Sequence, residues 1–273
     1  MPFPNAYAKA QRREAIRVSK RQWFFAPLRL GVIFFLLSFS VATNAQTNTL
    51  SDAKIQGRQL AHQLCDAWPA GNLTNAGTFN IRSNGQYYSY QIKCLTLVAA
   101  TNWLSVFEMY DSTNSSRGKR LIILHAPFKP NEYKLTFFID GNKQLTKDGQ
   151  EVIKQLPFVG DFGCADLGLE FFHWPVQKVL PKTTTLKRGR EYTLLESTNP
   201  TPPTNGYSRV LSWIDKESCG ILAAEAYDAK GKLLKEFEPK SFKKVNGQWE
   251  LQEMEIRNVQ TGSRTRLEFD LKN

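Results

Sequence analysis

Apolar and polar residues alternate one by one in many short runs of this chain, and this pattern restricts the fold more than any other feature. Leu267, Phe269 and Leu271, for example, are each flanked by charged residues. Alternation with a period of two is typical of β-strands that bury one face. The pair Asn84-Gly85 lies between two such runs, and Asn-Gly favours the tight turn of a β-hairpin. The chain is therefore predicted to fold mainly as antiparallel strands.

About ten such runs follow residue 77, which predicts a strongly curved antiparallel sheet or an open barrel. A barrel wider than eight strands leaves a cavity unless something plugs it. One strand changes phase, because Trp249 and Leu251 are out of step with Met254 and Ile256. This change predicts a β-bulge near Gln252.

A helix is predicted before the strands. Residues 51–68 carry apolar side chains at helical spacing, with Ser51 as the N-cap and Pro69 after the last turn. The apolar stripe of this helix comprises Leu60, Ala61, Leu64, Cys65 and Trp68. The predicted fold class is therefore mainly β, of the α+β kind, with an N-terminal helix.

The first 45 residues have the features of a secretory signal peptide. Several basic residues precede an apolar run from Leu30 to Leu37 that continues to Ala42, and the small residues of "VATNAQT" follow. These features predict cleavage near Ala45 and leave residues 46–273 as a single exported domain. An uncleaved membrane anchor is the alternative, but the apolar core is shorter than the ~20 residues that span a bilayer.

The net charge of the predicted mature chain is small. Residues 1–45 hold seven Lys or Arg residues and one Glu, so 29 basic and 24 acidic residues remain in residues 46–273. This mild and intermixed charge does not favour nucleic-acid binding. The densest basic cluster is "KTTTLKRGR", Lys182–Arg190, which is either a solvated loop or a site for anionic lipid headgroups.

Motifs of catalysis and metal binding are absent from the sequence, which holds no G-x-S-x-G, Walker loop, C-x-x-C or H-E-x-x-H pattern. His62 and Cys65 would supply half of a metal site, with no second pair to complete it. Cys164 and His173 are too far apart on one helix to act as a nucleophile and its base. The sequence predicts a binding protein with no cofactor and no metal, and a hydrolase with an unrecognised nucleophile is the remaining alternative.

The stretch "GDFGCADLGLEFFHWPVQ", residues 160–177, combines aromatic residues with three glycines. At helical spacing, residues 158–174 are apolar over most of the circumference of one helix, which is typical of a buried helix. Gly160, Gly163 and Gly168 would loosen such a helix. Two interpretations follow: a core helix that closes one end of the barrel, or a lid over a cavity.

The lid interpretation assigns residues to the mouth and the wall of the cavity. The predicted mouth residues are Phe162, Leu167, Leu169, Phe171, Phe172 and Trp174. The predicted wall residues are Trp213 and Phe269.

A family resemblance rests on several segments that occur in a characteristic order. "GDFGCADL", "YSRVLSWID", "YDAKGKLLKEF" and "TGSRTRLEF" together resemble the outer-membrane lipoprotein-sorting family, the periplasmic LolA/LolB-like carriers. The resemblance extends from the helix after Ser51 to Leu271. It implies an unclosed antiparallel β-barrel around a hydrophobic cavity, with short helices as its lid.

The resemblance also implies a function. It implies a periplasmic, monomeric carrier that shields the acyl chains of a lipoprotein or lipid, with an inner-membrane release complex and an outer-membrane acceptor as partners. Because envelope sensors share the fold, the alternative is a sensory or structural protein that binds a protein partner through the same surface.

Four cysteines follow the predicted leader: Cys65, Cys94, Cys164 and Cys219. In an oxidising compartment they allow two disulfides in any of three connectivities. One hypothesis is that Cys164–Cys219 tethers the lid while Cys65–Cys94 forms the second pair.

Overall fold

The structure is a computed structural model that describes residues 45–271, apart from residues 111–116, 141–142, 156, 183 and 246–247. The predicted signal peptide lies outside the described residues except for Ala45, so its cleavage stays a prediction. Within the described range, no helix has both the length and the apolar character that crossing a membrane requires.

Among the described residues, thirteen strands form one antiparallel sheet and two further strands form a separate hairpin. The strands of the first half are β1 Leu73–Ser83, β2 Gln86–Val98, β3 Trp103–Tyr110, β4 Gly118–His125, β5 Glu132–Asp140 and β6 Lys143–Asp148. The hairpin consists of β7 Pro157–Val159 and β8 Phe162–Gly163. The strands of the second half are β9 Val176–Leu180, β10 Tyr192–Thr198, β11 Tyr207–Asp215, β12 Ile221–Asp228, β13 Leu233–Val245, β14 Gln248–Asn258 and β15 Arg264–Phe269.

The order of the sheet joins the two halves of the chain side by side. Strands β1 to β6 follow one another across one half and β15 to β9 across the other, while β1 pairs with β15 at the centre. The two edges are β6 and β9, so the sheet is not closed. The prediction of a mainly antiparallel β fold is confirmed, with more strands than the ten expected.

Two details of the strands, a turn and a bulge, were predicted correctly from the sequence pattern. Asn84 and Gly85 have φ angles of 51° and 76°, as the predicted hairpin turn requires. Opposite Gln252 the pairing changes from Ser241↔Glu253 to Phe242↔Leu251, which leaves Gln252 without a partner and confirms the predicted bulge.

The first helix is longer than predicted. Helix α1 spans Ala45–Cys65, so Ser51 lies inside it and the prediction that Ser51 is its N-cap is wrong. The helix packs along β9 so closely that a Cβ on Gly57 would lie 2.5 Å from the backbone nitrogen of Lys178. Leu60, Leu64 and Cys65 of the predicted stripe pack against buried residues of the second half. Helix α1 thereby covers the β9 edge.

The core is divided into clusters. The first cluster lies on β1–β5, β14 and β15 and includes Phe79, Leu121 and Leu267, and helix α2 (Gln150–Gln155) adds Val152. The second cluster lies on α1 and β10–β12 and includes Leu195 and Val210. The space between the clusters is where the stretch of residues 160–177 runs.

Candidate functional site

The stretch of residues 160–177, called the 160–177 segment below, is not one helix. After the turn between β7 and β8 it forms a four-residue helix α3, Cys164–Leu167, and then a 3₁₀ helix, Glu170–His173. Gly160 has a φ of 53° in the turn, and Leu169 has a φ of 49° between the two helical turns. The prediction of a single helix over residues 158–174 is therefore wrong, because both breaks need left-handed backbone.

The first part of the segment is anchored to β15 by Asp161. The Asp161 carboxylate accepts hydrogen bonds from Ser263 Oγ (2.6 Å) and Thr265 Oγ1 (2.9 Å), and the Asp161 backbone N–H donates to Thr265 Oγ1 (2.8 Å). The approach is so close that a Cβ on Gly160 would lie 2.2 Å from Thr265 Oγ1. Glycine is therefore required at position 160 by both its φ angle and its surroundings.

The middle of the segment is anchored by Asp166. Its carboxylate accepts hydrogen bonds from the Gly163 backbone N–H (2.7 Å), the Tyr207 hydroxyl (2.7 Å) and the Lys235 ammonium (3.1 Å). Burial and the adjacent carboxylate raise the pKa of Tyr207. Lys235 also donates to the Asp161 carbonyl oxygen (2.6 Å), so one ammonium group holds both ends of the first turn.

The last part of the segment is anchored to β5 by Glu170. The Tyr133 hydroxyl donates to Glu170 Oε2 (2.8 Å), and Asn131 Nδ2 donates to the Gly168 carbonyl oxygen (2.8 Å). Burial raises the pKa of Glu170 to about 7. The segment thus contains a carboxyl group that changes its charge near neutral pH.

Gln177 closes the segment. Its Nε2 donates to the carbonyl oxygens of Phe171 (2.9 Å) and Trp174 (3.0 Å), and Ser197 Oγ donates to its Oε1 (2.7 Å). The Phe171 carbonyl oxygen also accepts the Trp174 backbone N–H (3.4 Å), so Gln177 reinforces the end of the 3₁₀ helix. Polar contacts therefore fix the segment at four positions: Asp161, Asp166, Glu170 and Gln177.

The apolar side chains of the segment line a cavity of about 530 Å³ between the first and second clusters. Phe162 also contacts Phe79 of β1, with ring centroids 5.2 Å apart, and Phe171 contacts Phe172 at 4.5 Å. The segment contributes Phe162, Asp166, Leu167, Leu169, Phe171 and Phe172 to the lining. The strands contribute Phe107, Tyr207, Val210, Ile221, Leu222, Ala224, Ala226, Lys235, Phe237, Pro239, Phe242, Leu251, Met254 and Ile256.

One rim of the cavity is formed by turns. Leu64 and Ala67, at the end of α1, contribute to it, and residues 218–220 between β11 and β12 continue it. The charged side chains in the lining, Asp166 and Lys235, bind each other. A guest in this cavity would therefore meet mostly apolar surface, in a volume typical of small-molecule pockets.

A second, more polar groove of about 1030 Å³ lies on the other side of the segment. Asp166, Tyr207 and Lys235 line both hollows, so the Asp166 anchor separates them. The groove is also lined by Glu170, His173, Trp174, Asn199, Thr201, Asp228, Asn258, Gln260 and several prolines.

The predicted mouth and wall residues lie in four different places. Phe162, Leu167, Leu169, Phe171 and Phe172 line the apolar cavity, whereas Trp174 lies on the second groove. Trp213 belongs to a third cluster, with the Lys187 ammonium 4.1 Å from its ring centroid. Phe269 packs against the first cluster. Trp213 and Phe269 are not among the described residues that line either hollow, and binding by any of these residues stays a prediction.

Most of the cavity lining was missed by sequence reasoning. The inward side chains of β12–β14, such as Ala224, Phe242 and Leu251, come from strands that were recognised but whose faces were not assigned. The signal was the bulge at Gln252, which brings Leu251 to the same face of β14 as Met254 and Ile256, and all three line the cavity.

Three of the four thiols lie outside the cavity lining and are poor nucleophiles. Burial raises the pKa of Cys65, Cys94 and Cys164 to about 12 each, so these thiols are not nucleophiles at neutral pH. Burial lowers the pKa of His125 to about 4. Among the described residues, no group of three or more His, Cys, Asp or Glu residues could hold a metal ion.

The predicted disulfides stay predictions. All four cysteines are free thiols in the structure. Cys65 packs against the second cluster and Cys94 against the first. Cys164 is buried in the first cluster, whereas Cys219 lies on the cavity rim, where it accepts a hydrogen bond from Gln63 of α1 (3.3 Å).

Sequence comparison with known families and proteins does not indicate a function. Residues 155–271, which include the 160–177 segment, match a family whose description is "-like: Uncharacterized protein". No curated protein matches the chain.

Comparison of the fold is more informative. A DUF1329 family protein from Desulfovibrio piger matches with a TM-score of 0.65 and 15% identity, over 80% of this chain and 91% of that chain. A domain from Vibrio parahaemolyticus, described as an outer membrane lipoprotein-sorting protein, matches with a TM-score of 0.64 and 19% identity, over 80% and 92%. A LolA superfamily protein from Nitrosomonas europaea matches with a TM-score of 0.55 and 16% identity, over 81% and 94%.

This chain has the LolA-like fold. The resemblance predicted from the sequence is thus confirmed at the level of the fold. Because fold alone does not determine function, the function has to be argued from the cavity.

Proposed function

We propose that this protein is a periplasmic carrier that shields acyl chains of a lipoprotein or lipid, in lipoprotein sorting to the outer membrane. The sheet then serves as an unclosed barrel around the guest, and the 160–177 segment serves as its lid. The observation that carries this proposal is the cavity of about 530 Å³ with an almost entirely apolar lining.

An acyl chain needs an apolar cavity to cross an aqueous compartment. Exposing an acyl chain to water costs about 0.8 kcal/mol for each CH₂ group, so an anchor cannot cross an aqueous compartment uncovered. Aromatic and aliphatic side chains around the cavity replace that water without directional contacts. A carrier of this kind can accept chains that differ in length or branching.

Two features of the surroundings fit a carrier. Cys65 and Cys164, whose thiol pKa is about 12, would not attack an ester or thioester guest. Asp166 and Lys235 neutralise each other within the lining. A guest would therefore meet little net charge in the cavity.

The proposed carrier acts as a monomer between two membranes. It would receive its cargo from an inner-membrane release complex and deliver it to an outer-membrane acceptor. The fold neighbour described as an outer membrane lipoprotein-sorting protein supports this assignment.

One observation favours a second candidate function. The polar groove of about 1030 Å³ offers hydrogen-bonding side chains and prolines that suit an extended polypeptide. An envelope sensor that binds a protein partner would use this groove and leave the apolar cavity empty.

Binding of a triacylated lipopeptide, measured by displacement of a fluorescent C16 fatty acid, tests the carrier proposal. Leu169→Asp places a charge in the lining, and Asp is better suited than Leu to the φ of 49° at this position. We expect the affinity for the fatty acid to fall by roughly tenfold or more, because the charge loses water when the guest binds. Ala224→Phe, which fills the cavity with apolar volume, should also weaken binding.

Leu97→Asp is the matched control. Leu97 is 41% exposed and Leu169 is 37% exposed, but Leu97 lines neither hollow. The control should bind like the unmodified protein. Equal binding by all variants, or no acyl binding by the unmodified protein together with capture of an unlipidated peptide, would exclude the carrier and support the sensor.

A further inference from the structure

The hairpin of β13 and β14 extends beyond its neighbours in the sheet. In the described part of the chain, β13 pairs with β12 only through Leu233–Phe237, and β14 pairs with β15 only through Glu253–Arg257. Residues 238–245 and 248–252, together called the arm below, are paired mainly with each other. The Lys243 ammonium donates to the Leu271 carbonyl oxygen (2.7 Å), which holds the arm to the end of the chain next to β15.

One face of the arm is apolar and exposed. Phe242 lies opposite Leu251, and Lys244 lies opposite Trp249, so these four side chains share one face. Phe242 and Leu251 line the rim of the apolar cavity. Phe242 is 54% exposed and Trp249 is 71% exposed. An apolar face therefore continues from the cavity along the arm to Trp249. Exposed aromatic rings at this position do not contribute to the folded core, which suggests that they bind something.

Basic residues lie on the arm itself and in a loop beside it. Arg188 of the loop between β9 and β10 bonds Glu238 at the base of the arm (2.8 Å), so that loop lies beside the arm. Leu186 of the same loop is half exposed. Residues 182–191, 215–217 and 238–250 together hold eight Lys or Arg residues and five acidic residues. Basic residues therefore outnumber acidic residues in these ranges.

Exposed aromatic rings beside basic side chains are typical of proteins that bind the surface of a lipid bilayer. Tryptophan prefers the boundary between lipid headgroups and acyl chains, and Lys and Arg are attracted to anionic headgroups. A folded protein partner would instead require a larger apolar patch than two rings at a hairpin tip.

We propose that the arm docks the cavity rim onto a bilayer that contains anionic lipid. Trp249 and Phe242 enter the headgroup region, and basic residues of the arm and of the loop beside it contact lipid phosphates. This proposal deepens the carrier function and rests on it, since a bilayer is where acyl chains would enter and leave the cavity. The docked arm would place the cavity rim against the membrane surface.

Cosedimentation with vesicles of phosphatidylethanolamine and phosphatidylglycerol tests the docking. The protein is purified from the periplasmic fraction, and Trp249→Ser is compared with Trp249→Phe. We expect Trp249→Ser to lower vesicle binding roughly tenfold and Trp249→Phe to retain most of it, because a large aromatic ring is the group that enters the interface. Raising the salt concentration should weaken the binding of all three proteins.

Tyr87→Ser is the matched control. Tyr87 follows the β1–β2 turn and is 74% exposed, about as much as Trp249. The register pairs Arg82 with Arg264 and Arg264 with Arg257, which places that turn at the end of the sheet opposite the arm. Tyr87→Ser should therefore bind vesicles like the unmodified protein. An equal loss in both Ser variants, or vesicle binding unchanged in Trp249→Ser, would overturn the proposal.

Two further outcomes separate this proposal from the carrier function. Self-association that disappears in Trp249→Ser, without vesicle binding, would mean that the arm joins two copies of the chain and would overturn docking. Acyl binding in solution should be unchanged in Trp249→Ser. Loss of acyl binding in Leu169→Asp with vesicle binding retained would support both proposals, whereas vesicle docking without any acyl binding would refute the carrier function alone.

Discussion

Glu170 is the residue at which pH should act on this protein most strongly. Its carboxyl group is buried against Tyr133, and the burial raises its pKa to about 7 from a usual value of 4.5. The unfolded chain loses this proton at a lower pH than the folded chain. Ionisation of Glu170 therefore opposes folding, and the stability that it contributes falls as the pH rises from about 4.5 to about 7.

Glu170→Gln should remove this dependence. The amide keeps an oxygen that can accept the Tyr133 hydroxyl but cannot ionise, so we expect the variant to gain up to about 3 kcal/mol over the unmodified protein at pH 8 and almost nothing at pH 4.5. Urea unfolding at the two pH values measures the difference. The histidines near Glu170 are present in both proteins, so their titration cancels.

Glu132→Gln is the control for this measurement, since Glu132 is an exposed acid at the start of β5. It should leave the stability at both pH values nearly unchanged. A gain from Glu170→Gln that is the same at pH 4.5 and pH 8 would contradict the account of Glu170.

At the scale of elements, the position of the 160–177 segment requires glycine where its backbone approaches neighbouring side chains closely. A Cβ on Gly168 would lie 2.1 Å from the Tyr133 hydroxyl, and Tyr133 is itself fixed by hydrogen bonds to Asn131 and Glu170. We expect Gly168→Ala to cost about 1–3 kcal/mol of stability and to increase hydrogen exchange in residues 164–173.

Gly71→Ala provides the comparison, because a Cβ at Gly71 would have no neighbour within 4 Å. It should change neither stability nor exchange. Normal stability and exchange in Gly168→Ala would mean that the segment shifts freely, and the description of it as a closely fitted element would be wrong.

The strands could be predicted from the sequence, but the segment could not. Period-two alternation depends only on neighbouring residues, so it located most strands and the bulge at Gln252. In the segment, the apolar residues are divided between two clusters: Phe162 belongs to the first, Phe171 and Phe172 to the second. The sequence pattern treats them as one buried helix because it does not show which cluster each contacts.

The polar contacts that anchor the segment could not be predicted from the sequence either. Asp161 binds Thr265, which is 104 residues away, and Asp166 binds Lys235, which is 69 residues away. No local pattern of the sequence reports contacts of this kind. Size and apolar character selected Phe162, Phe171 and Phe172, which line the cavity, but also Trp174, which lies on the polar groove.

At the scale of the whole molecule, the chain places an apolar cavity between two halves of one sheet and closes it with an anchored segment. The arm and the end of α1 lie at the rim of that cavity. In the proposed carrier, entry of a guest and docking on a membrane would therefore occur at the same end of the sheet. The opposite end, at the β1–β2 turn, would remain in water.

The central claim is that acyl chains occupy the apolar cavity. The most direct measurement is photo-crosslinking with a C16 fatty acid that carries a diazirine near its terminal carbon, followed by peptide mass spectrometry. The account predicts crosslinks concentrated on residues of the lining, such as Phe172, Ala224 and Ile256, that are suppressed by excess triacylated lipopeptide. Crosslinks confined to the polar groove, or scattered over the surface and unaffected by the lipopeptide, would contradict it.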